Sequence, residues 1–363
     1  MTGPAAPPEG QRFATACLAT PHYLATHAGA AVLREGGNAV DAAVAANLVL
    51  GVVAPYTCGI GGDCFALIWD GQLHGYNGSG RAPASATPAA VLDRLDAPPG
   101  APSVLPRDGP LTITVPGAVD AWFALLDRFG TRTFARVAEP AIAYARGGFP
   151  LTAAGAGLIR AGRPAEPAWG EWDAVYGGAA PGARLTQPGL ARTLETVAAG
   201  GPDAFYRGEI GAAIAGHVRE LGGLLEAADF AAHRGDWVEP LEGRYRGLTV
   251  AELPPSSQGS AALLALHLLD QAGPLPPDGP DRHHVLVEAV RTALAERDAH
   301  LTDPAHMLLP PGALADPARA RAIAARSPAP VAGPGGRGGG DTAYLCAVDG
   351  HGLCVSLIQS NYN

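Results

Sequence analysis

The chain has 363 residues, of which 47% are hydrophobic and 16% are charged, and its formal net charge is −9 at pH 7. A chain of this length and apolar content can bury a large core, which excludes an intrinsically disordered protein. The acidic balance excludes the clustered positive charge that nucleic-acid binding requires, so no nucleic-acid partner is expected.

The longest apolar segment and the cysteines bear on the compartment. The segment from Ala39 to Pro55 contains Asp41 and Asn47 and is shorter than the roughly 20 residues needed to cross a bilayer, so no membrane partner is expected. Residues 1–13 show no cationic start followed by an apolar stretch, so no signal peptide is visible. The five cysteines lack the CxxC spacing of a zinc site, and their odd number argues against a disulfide framework. We therefore expect a cytoplasmic protein.

The first predicted elements are two helices and a hairpin. Residues 20–53 read as two helices that are separated at Gly36 and Gly37, and Asn38 is placed to cap the second helix. Residues 64–78, CFALIWDGQLHGYNG, show the apolar runs and the Asp-Gly turn of a β-hairpin.

The rest of the chain mixes helices and strands. Residues 111–130 predict a short strand followed by an amphipathic helix, and residues 133–219 are Ala-rich and mostly helical in pattern. Residues 245–270 again predict strand, loop and helix, with Ser256 or Ser257 available to cap the helix, and residues 281–301 predict a further helix. Pro, Gly, Ala and Arg dominate residues 308–340, which predicts a mobile connector. Helices combined with antiparallel hairpins predict an α+β fold of layered helices and sheets.

Two sequence patterns argue against a cofactor or a metal. The segment GIGGDCF, residues 59–65, follows a helix, precedes a strand and lacks GxGxxG spacing, so a tight connection is favoured over a cofactor loop. His283 and His284 with Glu288 lack the HExxH order of a zinc protease. No metal and no organic cofactor are expected.

Thr342 follows the glycines 338–340 and Asp341, and it opens a segment that reads as two β-strands. A threonine here is consistent with a simple strand start. It also suits a nucleophile that is freed when the chain is cut between Asp341 and Thr342. The released α-amine has a pKa of roughly 7.7–8.0, so it can accept a proton near neutral pH, whereas the uncut amide cannot. This pattern fits a zymogen that is activated by autoproteolysis.

Six blocks in order along the chain extend the pattern, among them ELPPSSQGSAALLAL and GGGDTAYLCAVDGHGLCVSLIQSN. They resemble blocks of the gamma-glutamyltranspeptidases, also called glutathione hydrolases, and the last resembles the family's processing site. The blocks span residues 19–71, 114–130, 139–151, 252–266, 283–306 and 338–361.

The resemblance implies an N-terminal-nucleophile hydrolase, an αββα sandwich of two stacked antiparallel sheets between helical layers. Family members are precursors that cut themselves into two subunits. On that pattern residues 1–341, including the connector 308–340, form the large-subunit region. Residues 342–363 are the start of the small subunit, so the chain is expected to be truncated and incomplete at its C-terminus.

The resemblance also implies the catalytic roles. Thr342 is the nucleophile with its own α-amine as base, and Ser360 takes the place of the family's second active-site threonine, which supports that amine. The family's asparagine would fall at Tyr362, so Asn361 or Asn363 is expected to orient the acyl group.

The substrate-binding arginine of the best-known members is displaced in this sequence. When the chains are aligned on Ala82 and Pro83, the arginine position is Ser79, and Arg81 lies two residues on. In an extended segment both residues lie on the same face, so Arg81 is the expected carboxylate-binding residue. A bidentate arginine clamp is geometrically demanding, so this displacement weakens the case for a γ-glutamyl substrate.

The expected function is transfer or hydrolysis of a γ-glutamyl or related acyl group through an acyl-enzyme, as in glutathione metabolism. The segment SLIQSNYN is closer to the gamma-glutamyltransferase-like branch, whose amidohydrolases act on other acyl groups. An alternative is therefore an amidohydrolase for a non-glutamyl amide, such as a small dicarboxylic half-amide or a β-lactam side-chain amide. A second alternative is an inactive fragment that serves only as a structural or partner-binding half. The expected partners are a small-molecule amide substrate and the remainder of the small subunit.

Overall fold

A computed structural model describes residues 15–96, 105–106, 108–163, 171–275, 277–325 and 342–361. The strands are β1 Cys17–Ala19, β2 Asp63–Trp69, β3 Leu73–Gly78, β4 Phe149–Pro150, β5 Arg184–Leu185, β6 Asp236–Val238, β7 Leu241–Tyr245, β8 Leu248–Glu252, β9 Ala343–Val348 and β10 Cys354–Ser360. The helices are α1 Tyr23–Arg34, α2 Ala39–Val53, α3 Pro88–Arg94, α4 Ala118–Phe129, α5 Phe134–Gly147, α6 Ala153–Ala161, α7 Glu171–Tyr176, α8 Pro188–Tyr206, α9 Glu209–Glu220, α10 Ala227–Ala232, α11 Gly259–Gln271, α12 Pro280–His300 and α13 Pro317–Ala324. Short 3₁₀ helices span Pro110–Thr112, Pro304–His306 and Pro311–Ala315.

The largest sheet has six strands in the order β1-β9-β10-β2-β3-β6, and all neighbours are antiparallel. The C-terminal strands β9 and β10 are therefore inserted between β1 and the β2–β3 hairpin. Two smaller sheets pair β4 with β5 and β7 with β8. Within the described part of the chain, no helix is long and apolar enough to span a membrane.

One face of the large sheet is buried against helices α2 and α4, which contact its central strands. Alternate residues of β9, β10 and β2 supply this buried face: Ala343, Leu345, Ala347, Val355, Leu357, Cys64, Ala66 and Ile68. The opposite face is open and carries large apolar side chains, with Tyr344 50% and Trp69 48% exposed. The second sheet of an αββα sandwich packs on a face of this kind.

Helix α2 is buried along its whole length and is anchored by the carboxylate of Asp41. Asn38 caps the helix by accepting the N–H groups of Val40 and Asp41, and Asp41 accepts the Asn38 N–H at 2.9 Å. Asp41 also accepts the Thr131 N–H at 2.9 Å, the Thr131 hydroxyl at 2.6 Å and the Arg132 N–H at 3.0 Å. One carboxylate therefore joins the start of α2 to the loop between α4 and α5.

The predicted helices, the Asn38 cap and the β2–β3 hairpin are confirmed. The predicted strand at the start of residues 111–130 is wrong, because a 3₁₀ turn precedes α4. The Val115 N–H bonds to the Arg81 carbonyl at 3.1 Å, and this segment forms no sheet ladder within the described residues.

Part of the predicted connector 308–340 is helical. Asp316 caps α13 by accepting the Ala318 N–H at 2.7 Å, and Ala320 is buried against the helices around α11. Residues 326–340 lie outside the described residues.

We expect Asp41→Ala to lower the free energy of unfolding by at least about 3 kcal/mol, because it leaves several buried N–H donors without an acceptor. Urea unfolding measures the change. Asp127→Ala, which removes an exposed carboxylate from α4, is the matched control and should change stability by less than about 0.5 kcal/mol. Equal effects of the two substitutions would contradict the role assigned to Asp41.

Candidate active site

Several strand ends meet at one edge of the large sheet, which we call the Thr342 edge. β9 begins and β10 ends there, since Ala343 pairs with Gln359. β2 begins there, since Asp63 pairs with Ser360, and β3 ends beside it. The antiparallel order therefore gathers one end of each of four neighbouring strands.

A row of four polar residues crosses this edge. Continued by one residue, the strand register sets Thr342 opposite Ser360 and Ser79 opposite Asp63. Neighbouring strands lie about 4.8 Å apart, so the row runs Thr342, Ser360, Asp63 and Ser79 at intervals of that order. Thr342 is exposed and Ala343 is buried against the helices. Because side chains alternate between faces, the Thr342 hydroxyl belongs to the open face.

The turn that contains Gly59 and Gly62 lies directly against the end of β10. A Cβ on Gly62 would overlap the carbonyl oxygen of Ser360 and approach the Asn361 side chain, and a Cβ on Gly59 would also meet Asn361. The Gln359 amide donates to the Gly59 carbonyl oxygen. The predicted tight helix-to-strand connection is therefore confirmed, and its glycines allow β10 to approach.

Asp63 is a largely buried acid in the middle of the row. Burial raises its pKa to about 6, and this effect exceeds the opposing one of the Gly80 and Gly117 N–H groups. The Gly80 N–H donates to the carboxylate at 2.8 Å. Asp63 therefore changes its ionisation closer to neutral pH than an ordinary aspartate does.

Ser79 belongs to a small polar cluster beyond the end of β3. Its hydroxyl donates to Asn77 Oδ1 at 2.7 Å and lies 2.8 Å from the Ser256 hydroxyl. The Asn77 amide donates to the same Ser256 oxygen at 3.4 Å. The cluster joins the edge of the sheet to the turn before α11.

Arg81 follows this cluster and lies on the surface. Its guanidinium is 3.5 Å from the Asp303 carboxylate, and its side chain is 71% exposed. A solvent-exposed guanidinium can turn towards a ligand with little loss of stability, because exposed ion pairs contribute about 0–1 kcal/mol.

The structure thus gathers three of the predicted site residues at the Thr342 edge: Thr342, Ser360 and Asn361. Arg81 lies farther along, beyond β3. Asp341 and Asn363, the other predicted site residues, lie outside the described residues.

Sequence reasoning missed Asp63 as a member of this group and treated Ser256 only as a helix cap. The helix that follows begins after Gln258, and it is the Ser257 hydroxyl that accepts the Gly259 N–H at 3.2 Å. An acidic residue directly after the glycines of GIGGDCF was the available signal for Asp63. Ser256 had no such signal, because its contacts are with residues distant in sequence.

An antiparallel sheet with helices on one face and an exposed threonine at the head of an inner strand has the fold of an N-terminal-nucleophile hydrolase. The crystal structure of a cephalosporin acylase from Bacillus halodurans matches 100% of this chain and 69% of that chain, with a TM-score of 0.86 and 35% identity. The crystal structure of the Helicobacter pylori gamma-glutamyltranspeptidase matches 91% of this chain and 96% of that chain, with a TM-score of 0.79 and 28% identity.

The chain belongs to the gamma-glutamyltranspeptidase family, whose family model matches residues 25–363. The glutathione hydrolase-like YwrD proenzyme of Bacillus subtilis is 37% identical over 362 residues, which is 95% of this chain and 66% of that relative. The oxamate amidohydrolase proenzyme of Klebsiella pneumoniae is 37% identical over 361 residues, 94% of this chain and 66% of that relative. The chain therefore spans 66% of the length of these two relatives. The predicted family and α+β fold are confirmed.

The raised pKa of Asp63 predicts a pH-dependent stability. Between pH 3.8 and about pH 6 the folded state keeps a proton that the unfolded state, in which the carboxyl has its ordinary pKa of 3.8, has released. The free energy of unfolding therefore falls as pH rises from 3.8 to about 6. Asp63→Asn removes this dependence. Relative to the wild type, we expect it to gain on the order of 3 kcal/mol between about pH 4 and pH 7.

Urea unfolding of both proteins across this range measures the difference. Asp127→Asn, which changes an exposed carboxylate, should show no such trend. A stability difference between Asp63→Asn and the wild type that stays constant with pH would contradict the assignment.

Proposed function

We propose that this chain carries the nucleophile of a self-cleaving amidohydrolase or acyltransferase of the gamma-glutamyltransferase type. The observation that carries the proposal is Thr342, which lies exposed at the head of a central strand with Ser360 as its cross-strand neighbour. The two proenzyme relatives support it.

Activation begins at the bond between Asp341 and Thr342. The Thr342 hydroxyl adds to the Asp341 carbonyl, the C–N bond breaks, and the acyl group moves from nitrogen to oxygen as an ester. Water then hydrolyses that ester, which leaves a carboxylate on Asp341 and a free amine on Thr342. The amine has a pKa of roughly 7.7–8.0, so it can serve as a base near neutral pH.

Turnover uses the same hydroxyl. Thr342 Oγ attacks the substrate carbonyl while its α-amine takes the hydroxyl proton, and that proton passes to the departing amine. The acyl-enzyme ester is then resolved by water in hydrolysis or by an amine acceptor in transfer. Ser360 supports the α-amine, and Asn361 orients the acyl group, with Asn363 as the alternative.

We further propose that residues 1–341 and 342–363 belong to separate subunits after cleavage. A segment equivalent to the part of the relatives that this chain does not span would pack on the open sheet face. The exposed apolar side chains of Trp69 and Tyr344 support that contact, because burying such a face is favourable. All five cysteines are free, which supports a cytoplasmic location.

The substrate is a small amide, and two acyl classes compete. A γ-glutamyl compound such as glutathione fits if Arg81 leaves Asp303 to bind the carboxylate. A non-glutamyl acyl group fits the polar cluster at Ser79, where a hydroxyl that is already bonded to Asn77 replaces the family's arginine. The relatives include an oxamate amidohydrolase and a cephalosporin acylase, which favours testing both classes. A structural half without activity is the third candidate.

Thr342→Ala should abolish the fragment that begins at residue 342, because it removes the attacking hydroxyl. Intact-mass spectrometry of the purified protein detects the fragment. Thr342→Ser keeps a hydroxyl and is the matched control, in which cleavage should persist. Cleavage at this bond in Thr342→Ala would contradict the mechanism.

Arg81→Ala should raise KM for a γ-glutamyl anilide about tenfold with little change in kcat, since loss of one charge-assisted hydrogen bond costs on the order of 1.5 kcal/mol. Steady-state kinetics of the complete enzyme measure this. Arg163→Ala removes a similarly exposed arginine that pairs with Asp173, and it should leave KM unchanged. An unchanged KM in Arg81→Ala would show that Arg81 does not bind the substrate. Hydrolysis of a small dicarboxylic half-amide would then favour the non-glutamyl acyl class.

A further inference from the structure

Asp63 stands between Ser360 and Ser79 on the polar row, and the chemistry proposed above leaves it without a role. Aspartate is costly to bury, so its place in the middle of a catalytic edge requires partners. Its partners are backbone N–H groups, and they come from two segments distant in sequence.

The first segment is the loop of residues 79–81, which we call the acyl loop. Gly80 donates its N–H to the Asp63 carboxylate at 2.8 Å. On its other side Gly80 lies so close to the Val115 carbonyl oxygen that a Cβ would overlap it. The Arg81 carbonyl accepts the Val115 N–H at 3.1 Å. The acyl loop is therefore clamped between the carboxylate and the chain before α4.

The second segment is the start of α4. The Gly62 carbonyl oxygen accepts the N–H groups of Gly117 at 3.0 Å and Ala118 at 2.9 Å. The Gly117 N–H also lowers the pKa of the neighbouring carboxylate. The positive end of a 12-residue helix thus lies beside Asp63 and favours its ionised form. Burial opposes this preference, so the charge can be lost near neutral pH.

We propose that Asp63 is a positioning residue that fixes the acyl loop through Gly80, and so sets where Ser79 and Arg81 meet the substrate. The inference rests on the proposed function, and it assigns Asp63 to acyl-group binding rather than to cleavage at Thr342. An ionised carboxylate accepts the Gly80 N–H more strongly than a protonated one does. Substrate binding should therefore weaken when Asp63 takes up a proton.

Two titratable side chains in the described part of the chain interact with Asp63, and neither ionises near pH 6. Cys64 on the same strand and Tyr206 on α8 interact with Asp63, and burial raises the pKa of each well above neutrality. The acyl loop itself carries the guanidinium of Arg81. The freed α-amine of Thr342 titrates at roughly 7.7–8.0, which separates its effect from that of Asp63.

The test compares Asp63→Ala, Asp63→Asn and the control Asp70→Asn in the complete enzyme. Asp70 lies at the far end of the same hairpin and is exposed. The probe is a γ-glutamyl anilide or a small dicarboxylic half-amide, whichever the wild type hydrolyses faster. The readouts are release of the fragment that begins at Thr342, and kcat and KM from about pH 5 to pH 8.

All variants should release the fragment at the wild-type rate. Asp63→Ala should raise KM about tenfold with kcat within about threefold, because binding and not chemistry loses its support. Asp63→Asn keeps an oxygen acceptor for Gly80, so its KM should lie within about threefold of the wild-type KM. The rise of KM that the wild type shows below about pH 6 should be absent from Asp63→Asn, because its amide does not take up a proton in this range. The proposal would be overturned if Asp63→Ala had the wild-type KM and pH profile. It would also be overturned if the KM of Asp63→Asn rose below about pH 6 as that of the wild type does.

A second readout does not depend on activity. Amide hydrogen exchange at Gly80 should be at least about tenfold faster in Asp63→Ala than in the wild type and Asp63→Asn. If the wild type neither cleaves nor turns over, the proposed function fails. Equal rates of hydrogen exchange at the Gly80 amide in all these proteins would contradict the role of Asp63 without contradicting the proposed function.

Discussion

The antiparallel pairing of β10 with β2 is the contact on which the arrangement of the site depends. It brings the last described strand into the middle of a sheet whose other strands come mostly from the first third of the chain. β9 then lies between β10 and β1, and β10 is the neighbour that pairs with the start of β9 beside Thr342, since β1 pairs with residues 346–348. This pairing sets the face of the sheet to which the Thr342 side chain belongs.

Glycine makes that pairing possible at its most crowded point. Gly62 lies against the Ser360 carbonyl where no Cβ fits, and Gly80 and Gly117 lie just as close to the carbonyls of Val115 and Gly78. Because these backbone segments approach so closely, the N–H groups of one segment can donate to oxygen acceptors of another. The partly buried carboxylate of Asp63 is stabilised there by the Gly80 N–H that donates to it.

The sequence predicted local features well where local physics decides them. The Asn38 cap, the break at Gly36 and the hairpin turn at Asp70 all follow from hydrogen bonds within a few residues, and the structure contains them. The strand expected near Ile113 failed because an apolar run becomes a strand only when a partner strand is available. Here, within the described residues, the neighbouring backbone offers one hydrogen bond, from the Val115 N–H to the Arg81 carbonyl.

The sequence by itself determined which residues are the candidates for the chemistry. The resemblance to the family predicts Thr342, which follows a glycine run, as the nucleophile and Ser360 as the supporting hydroxyl. Only the tertiary structure decided that Asp63 shares the row with them and that Ser256 reaches Ser79. Strand register and the packing of distant segments place those residues, and neither leaves a periodic trace in the order of amino acids.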